Sequence, residues 1–104
     1  MKYKNKKIEV DGRIFDSQKE AQRYLYLREE EKQGLIKDLA CQTRFDYKLN
    51  GKKIFFYKAD FTYVREGKVH VEDVKSAFTE KLPLFRLKKK IIEAIYDLEI
   101  EIIK

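Results

Sequence analysis

The sequence predicts an α/β domain with a mixed β-sheet, preceded by an N-terminal β-hairpin. Three observations predict this fold. Two-residue turns at Asn50-Gly51 and Glu66-Gly67 separate three β segments, which indicates an antiparallel meander. A segment with helical spacing lies on each side of that meander, and the two helices are expected on opposite sheet faces. A last β segment follows the second helix, so it most simply pairs parallel with an earlier strand.

The N-terminal segment is basic and leads into the hairpin. Lys4, Lys6 and Lys7 belong to a lysine-rich stretch, and residues 1–6 are predicted to form a flexible basic arm that touches phosphates. A solvated, frayed terminus is the alternative. Asp11-Gly12 then predicts a tight turn between two short strands.

The first helix has clear start and stop signals. Ser17 at the N-cap and Glu20 three residues later form a capping box by sequence. The helix is expected to run to about Gln33, with Gly34 at its C-terminal end. The residues at helical spacing that are expected to face the sheet are Ala21, Tyr24, Leu25 and Arg28.

The three middle strands differ in their patterns. Residues 39–49 alternate, which predicts a half-buried strand with its odd-numbered residues on one face: Leu39, Cys41, Thr43, Phe45 and Tyr47. Residues 53–65 are apolar on both faces over much of their length, which is typical of a central strand. Residues 68–75 form the third strand.

The C-terminal part is expected to hold a loop, a helix and a strand. Residues 76–81 are polar and predict a loop, and Pro83 suits the first turn of a helix. The helical stripe consists of Leu84, Leu87, Lys88, Ile91, Ile92 and Ile95. Residues 98–103 then form the last strand.

Length and charge limit the possible functions. The 104 residues are expected to form one domain, residues 1–104. The formal charge of +6 favours a polyanionic partner, with nucleic acid as the first candidate, although a lysine-rich soluble surface is the alternative. The single cysteine, Cys41, excludes an internal disulfide and a cysteine-based zinc site, and fits a reducing, cytoplasmic setting. No apolar run approaches the roughly 18 residues of a membrane span, and a signal peptide is not expected.

The residues with the clearest chemistry lie on two neighbouring strands. Asp60 stands in a strongly apolar strand, where a carboxylate is costly unless it is paired, hydrogen-bonded or bound to a metal. Asp73 and Lys75 are two residues apart, so they share one strand face, whereas Glu72 points the other way. Two acids and an amine on such strands predict a divalent-metal site of the kind that cleaves phosphodiesters.

Each of these residues also has a structural alternative. Asp60 could be the buried partner of Lys58 or Arg44, and Asp73 with Lys75 could be part of an exposed ladder of charges. Glu20 could serve only as the helix cap.

The arrangement resembles the PD-(D/E)xK nuclease superfamily over nearly the whole chain. The similar segments are Ser17-Gln18-Lys19-Glu20-Ala21-Gln22-Arg23-Tyr24, Ala59-Asp60-Phe61 and Val71-Glu72-Asp73-Val74-Lys75. Small members of that superfamily look most alike: Holliday-junction resolvases, TnsA-like transposition endonucleases and short phage-encoded endonuclease-like proteins. Ala59 stands where the motif name has proline.

The resemblance implies a fold, a cofactor and residue roles. The fold would be a restriction-endonuclease-like three-layer αβα core with the order α-β-β-β-α-β. Asp60 and Asp73 would hold Mg²⁺, for which Mn²⁺ can substitute, Lys75 would assist the attacking water, and Glu20 would complete the catalytic and metal site.

The expected function is therefore metal-dependent DNA cleavage, structure-selective as in Holliday-junction resolvases, in the processing of phage or mobile-element DNA. The residues expected to bind DNA are Lys4, Lys6, Lys7, Arg86, Lys89 and Lys90. A homodimer is expected because a branched substrate cut symmetrically needs two active sites. A non-catalytic nucleic-acid-binding module is the alternative, and a structural adaptor is a third possibility.

Overall fold

The computed structural model describes residues 7–104, so the arm predicted for residues 1–6, with Lys4 and Lys6, lies outside the described residues. The strands are Ile8–Val10 (β1), Arg13–Phe15 (β2), Lys37–Leu49 (β3), Lys52–Arg65 (β4), Lys68–Val74 (β5) and Ile100–Ile103 (β6). The helices are Gln18–Lys32 (α1), Ala77–Glu80 (α2) and Pro83–Tyr96 (α3).

The main sheet is mixed, as predicted. Its strands lie in the order β3-β4-β5-β6, and the pairs β3–β4 and β4–β5 are antiparallel, whereas β6 pairs parallel with β5. The strands β1 and β2 form a separate antiparallel hairpin. The turn at Asn50-Gly51 has both residues at positive φ, 52° and 74°, and that at Glu66-Gly67 likewise, 52° and 75°. Such turns match the twist of the flanking strands, so the predicted meander is confirmed.

The first helix has the predicted cap but a different buried face. The Ser17 hydroxyl accepts the N–H of Glu20 at 3.2 Å. The buried residues are Ala21, Tyr24 and Leu27. The prediction for Leu25 is wrong because the buried arc is centred on Tyr24 and turns away from it, and Leu25 is 39% exposed. Arg28 does not face the sheet either, since its guanidinium pairs with Asp11 in the hairpin turn at 2.8 Å.

A hydrophobic core lies on each face of the sheet. The core under α1 includes Phe15, Tyr24, Leu27, Phe61, Tyr63 and Val74. The core under α3 includes Tyr57, Ala59, Val71, Ile92 and Ile100. The two helices therefore pack on opposite faces, as the sequence predicts.

In β3 and in β4, the odd-numbered side chains switch from one face of the sheet to the other at the same point along the hairpin. The prediction that the odd-numbered residues of β3 share a single face is therefore wrong. Leu39 and Cys41 pack on the α1 side, whereas Phe45 and Tyr47 pack on the α3 side. Gln42 has a left-handed backbone, with φ at 56°, which rotates the chain at this point. Asp60 stands opposite Gln42, between the pairs Cys41–Phe61 and Thr43–Ala59.

The segment predicted as a loop contains α2, because Ser76 caps it by accepting the N–H of Thr79 at 3.0 Å. In α3, Ile92 is buried but Leu84, Leu87 and Ile95 are exposed. Around the axis of α3, the predicted apolar stripe lies roughly 100° away from the residues that face the sheet, if the helix has 3.6 residues per turn. The stripe prediction is therefore confirmed for Ile92, which is buried, holds in part for the half-buried Lys88 and Ile91, and is wrong for Leu84, Leu87 and Ile95. Among residues 7–104, no helix has the length and apolarity to cross a membrane.

Candidate active site on strands β4 and β5

The two aspartates of the predicted site come together. Asp60 and Asp73 occupy the positions next to the paired residues Phe61 and Glu72, where β4 and β5 lie side by side. One oxygen of Asp60, Oδ2, accepts the N–H of Val74 at 2.7 Å, and the other accepts from the Gln42 amide at 3.5 Å. Burial, together with a hydrogen bond to the neighbouring carboxyl group of Asp60, raises the pKa of Asp73 to about 7. The alternative in which Asp60 pairs with Arg44 is not realised, since Arg44 pairs with Asp46 at 2.9 Å.

Lys75 follows the last residue of β5, and its side chain lies beside Asp73. Its Nζ atom is 3.8 Å from Asp73 Oδ2 and 5.1 Å from the centre of the Phe85 ring. The Asp73 side chain is only 1% exposed, so these charges do not form an exposed ladder. An ammonium group close to Asp73 favours the ionised form of that acid and offers donors to an anionic ligand.

Tyr57 is a member of the site that sequence reasoning missed. Its hydroxyl donates a hydrogen bond to Asp73 Oδ2, and burial together with the charge of Asp73 raises the pKa of Tyr57. A signal was present, because a phenol in a strongly apolar strand needs a partner for its hydroxyl. The pattern did not indicate which residue that partner was.

Glu20 lies within the electrostatic range of the aspartates. Burial, then the charges of Asp60 and Asp16, raise the pKa of Glu20 to about 7, while a backbone hydrogen bond from Asp16 and the charge of Lys75 lower it. Ser17 caps the backbone N–H of Glu20 with its own hydroxyl. Since Asp60 lies where β4 changes faces, its charge acts both on Asp73 and on Glu20, which belongs to α1.

Behind the site, on the α1 side of the sheet, a buried ion pair ties the helix to β5. Arg23 donates to both carboxylate oxygens of Glu72, at 2.8 and 2.6 Å, and the hydroxyl of Tyr63 donates to one of them. The ring of His70 stacks on Tyr63, with the centroids 5.3 Å apart. Glu72 is therefore a structural acid, in agreement with the choice of Asp73 as the residue that shares a face with Lys75.

The acids at this site offer few ligands for a divalent cation. Within residues 7–104 no three His, Cys, Asp or Glu side chains form a group that could hold a metal ion. Asp60 and Asp73 nevertheless fit Mg²⁺, which is usually held by one or two carboxylates together with waters and substrate phosphates. The raised pKa of Asp73 next to Asp60 marks two acids whose shared negative charge a cation would relieve.

The residues expected to bind DNA are distributed over two regions. Arg86, Lys89 and Lys90 lie on α3, where Lys89 pairs with Glu93 at 3.0 Å. Lys7 lies before β1 and is 3.7 Å from Asp16 in an exposed pair. The structure does not bring Lys7 into the group on α3.

A family model described as "Protein of unknown function (DUF1064)" matches residues 1–104. The chain belongs to the DUF1064 family. No curated protein and no solved structure matches this DUF1064 chain.

Proposed function

We propose that this DUF1064 chain is a Mg²⁺-dependent DNA endonuclease of the PD-(D/E)xK type, with a restriction-endonuclease-like core and Mn²⁺ as a substitute ion. One observation carries the proposal: Asp60, Asp73 and Lys75 converge on neighbouring strands, and the pKa of Asp73 is raised to about 7. Perturbed acids beside an amine are typical of catalytic sites.

The chain's own residues have distinct roles in this proposal. Asp60 and Asp73 hold the ion, and Tyr57 orients Asp73 through its hydrogen bond. The bound ion supplies Lewis-acid stabilisation of the phosphate and a water of lowered pKa. Lys75 donates hydrogen bonds to the water and to the oxygens of the phosphate, where negative charge develops. Glu20 adds a third acid at the edge of the site.

The substrate side of the proposal rests on charge and size. Arg86, Lys89 and Lys90 contribute positive charge on α3, and Lys4, Lys6 and Lys7 contribute it at the N-terminus. A small chain has little surface for sequence readout, so we propose a structure-selective enzyme resembling Holliday-junction resolvases, acting as a homodimer in the cytoplasm on phage or mobile-element DNA.

The test is cleavage of a four-way junction, a flap and a plain duplex, each with and without Mg²⁺. We expect cleavage only with Mg²⁺, and we expect Asp73→Asn and Lys75→Ala to lose it while they still bind DNA. Asp97→Asn and Lys52→Ala are matched controls on exposed residues outside the site and should cleave normally. Cleavage unaffected by Asp73→Asn and Lys75→Ala would refute the assignment.

The competing function is a non-catalytic nucleic-acid-binding module, favoured by the cationic side chains of α3. Such a module binds equally well in chelator and never nicks DNA. A structural adaptor, by contrast, has no affinity for DNA at moderate salt.

A further inference from the structure

A cleft of about 600 Å³ opens beside the candidate active site, between α2, α3 and β6. Two of its lining residues also border the site. The Phe85 ring contacts Lys75 and lies 6.3 Å from the ring of Tyr57. Ile102 is the β6 neighbour of Asp73 in the parallel register. The cleft therefore borders the group of acids through Phe85 and Ile102.

Each acid that lines the cleft has a cationic partner. Glu93 pairs with Lys89 at 3.0 Å and also accepts the N–H of Ile100 at 2.8 Å. Glu80 pairs with Lys104 at 2.8 Å. Each carboxylate therefore has a cation beside it that offsets part of its negative charge.

Three cations at the same cleft have no such compensation. Lys81, Arg86 and Lys90 line it and, within the described part of the chain, take no ion pair. The remaining wall is apolar, with Phe85 and Leu87. A cleft with cations on its rim and an aromatic ring in its wall suits a ligand with a phosphate and a flat ring.

The size and the aromatic wall favour an unpaired nucleotide over a duplex. A volume of about 600 Å³ lies in the ordinary range for small-ligand pockets, roughly 300–1,000 Å³. In a duplex the faces of the bases are covered by their neighbours, whereas an unpaired base can lie against a ring such as Phe85.

We propose that this cleft binds an unpaired strand next to the phosphodiester that is cut, so that the substrate is DNA with a single-stranded segment at a duplex end or branch. Lys81, Arg86 and Lys90 bind the phosphates, and the Phe85 ring stacks on a base. This inference rests on the proposed nuclease function for its position relative to the cut, but the binding itself requires neither metal nor cleavage.

The experiment measures fluorescence anisotropy of labelled DNA with the Asp73→Asn protein in chelator. The probes are a thymidine oligonucleotide, a duplex with a thymidine flap, and a blunt duplex of the same length. We expect the flap and the single strand to bind at least fivefold more tightly than the blunt duplex. In the same background, Phe85→Leu and Lys90→Glu should each weaken flap binding about tenfold. Lys52→Glu makes the same charge change at the start of β4, away from the cleft, and should weaken flap binding less than twofold.

Equal affinity for the flap and the blunt duplex would overturn the inference. So would a Lys90→Glu protein that binds the flap as well as the Lys52→Glu protein does; this comparison stays valid if Phe85→Leu fails to fold. Either result leaves the nuclease proposal standing, because cleavage by the unsubstituted protein tests that proposal separately. Flap-selective binding without any cleavage would support the cleft and refute the nuclease.

Discussion

Arg23 and Glu72 join α1 to β5 through two hydrogen bonds of 2.8 and 2.6 Å. The Glu72 side chain is 1% exposed, and the partner guanidinium is 24% exposed. Each residue is close in sequence to a member of the candidate site: Arg23 follows Glu20 by three residues, and Glu72 precedes Asp73. The pair therefore sets the position of the helix that carries Glu20 relative to the strand that carries Asp73.

Removing Arg23 should cost much more stability than removing a surface cation. We expect Arg23→Met to lower the free energy of unfolding by about 3 kcal/mol, because the buried Glu72 carboxylate loses its charged partner. Urea denaturation followed by circular dichroism measures this. Arg44→Met, which breaks the more exposed pair with Asp46, should cost less than about 1 kcal/mol. Equal losses in the two variants would contradict this account.

Asp73 should make the protein less stable as the pH rises. Its pKa is about 7 in the folded chain against an ordinary value of 3.8, so the folded state binds more protons between these values. The stability that the protonated Asp73 side chain contributes to the folded state is fully present below about pH 4 and is lost as the pH rises through about 7. We expect Asp73→Asn to be more stable than the unsubstituted protein at pH 8 by about 1 kcal/mol or more in urea denaturation.

Asp46→Asn is the control, because the pKa of Asp46 is shifted in the opposite direction from that of Asp73. A hydrogen bond from Arg44 lowers the pKa of Asp46, so its ionised form favours folding and its removal should not stabilise the protein at pH 8. If Asp73→Asn is no more stable at pH 8 than the unsubstituted protein, then the ionised Asp73 carboxylate does not destabilise the folded state.

Tyr57→Phe should shift the pH dependence of metal binding. The Tyr57 hydroxyl lowers the pKa of Asp73 by its hydrogen bond, so without it the carboxyl group ionises only at higher pH. We expect the pH midpoint of Mg²⁺ affinity, measured by calorimetry, to move upward. Tyr63→Phe removes the hydroxyl that bonds Glu72 on the other face and should leave the midpoint unchanged. The idea fails if the two variants shift it equally.

Mg²⁺ binding at pH 7 should release protons. Asp73 and Glu20, both with a pKa of about 7, are partly protonated at that pH and must ionise beside a cation. Calorimetric titrations in two buffers of different ionisation enthalpy measure the number released. We expect Asp73→Asn to release fewer protons and to bind Mg²⁺ at least tenfold more weakly. A buffer-independent heat would argue against ionisation of these acids on binding.

The parts of the fold that depend on local chemistry could be predicted from the sequence. Ser17 caps a helix and Asn50-Gly51 closes a hairpin because the short-range geometry of these residues decides the backbone. The proximity of Asp60 and Asp73 was also within reach, because the turn at Glu66-Gly67 sets the register of their strands.

The parts that depend on tertiary packing could not be predicted. A left-handed glutamine within β3 has no sequence signal, so the change of face at Gln42 was missed. Helical periodicity located an apolar stripe on α3 but did not indicate which side meets the sheet, and Leu84 and Leu87 are exposed. The partner of Tyr57 depends on where two strands lie in space, which pattern alone does not specify.

The change of face at Gln42 and Asp60 bears on how the protein unfolds. Since one hairpin, β3–β4, supplies side chains to both layers, we expect the two layers to lose their packing together. Amide protons beneath α1 and beneath α3 should therefore exchange with solvent at one common rate of opening. The acids between the layers would then lose their geometry in that single cooperative event, without any partly melted intermediate.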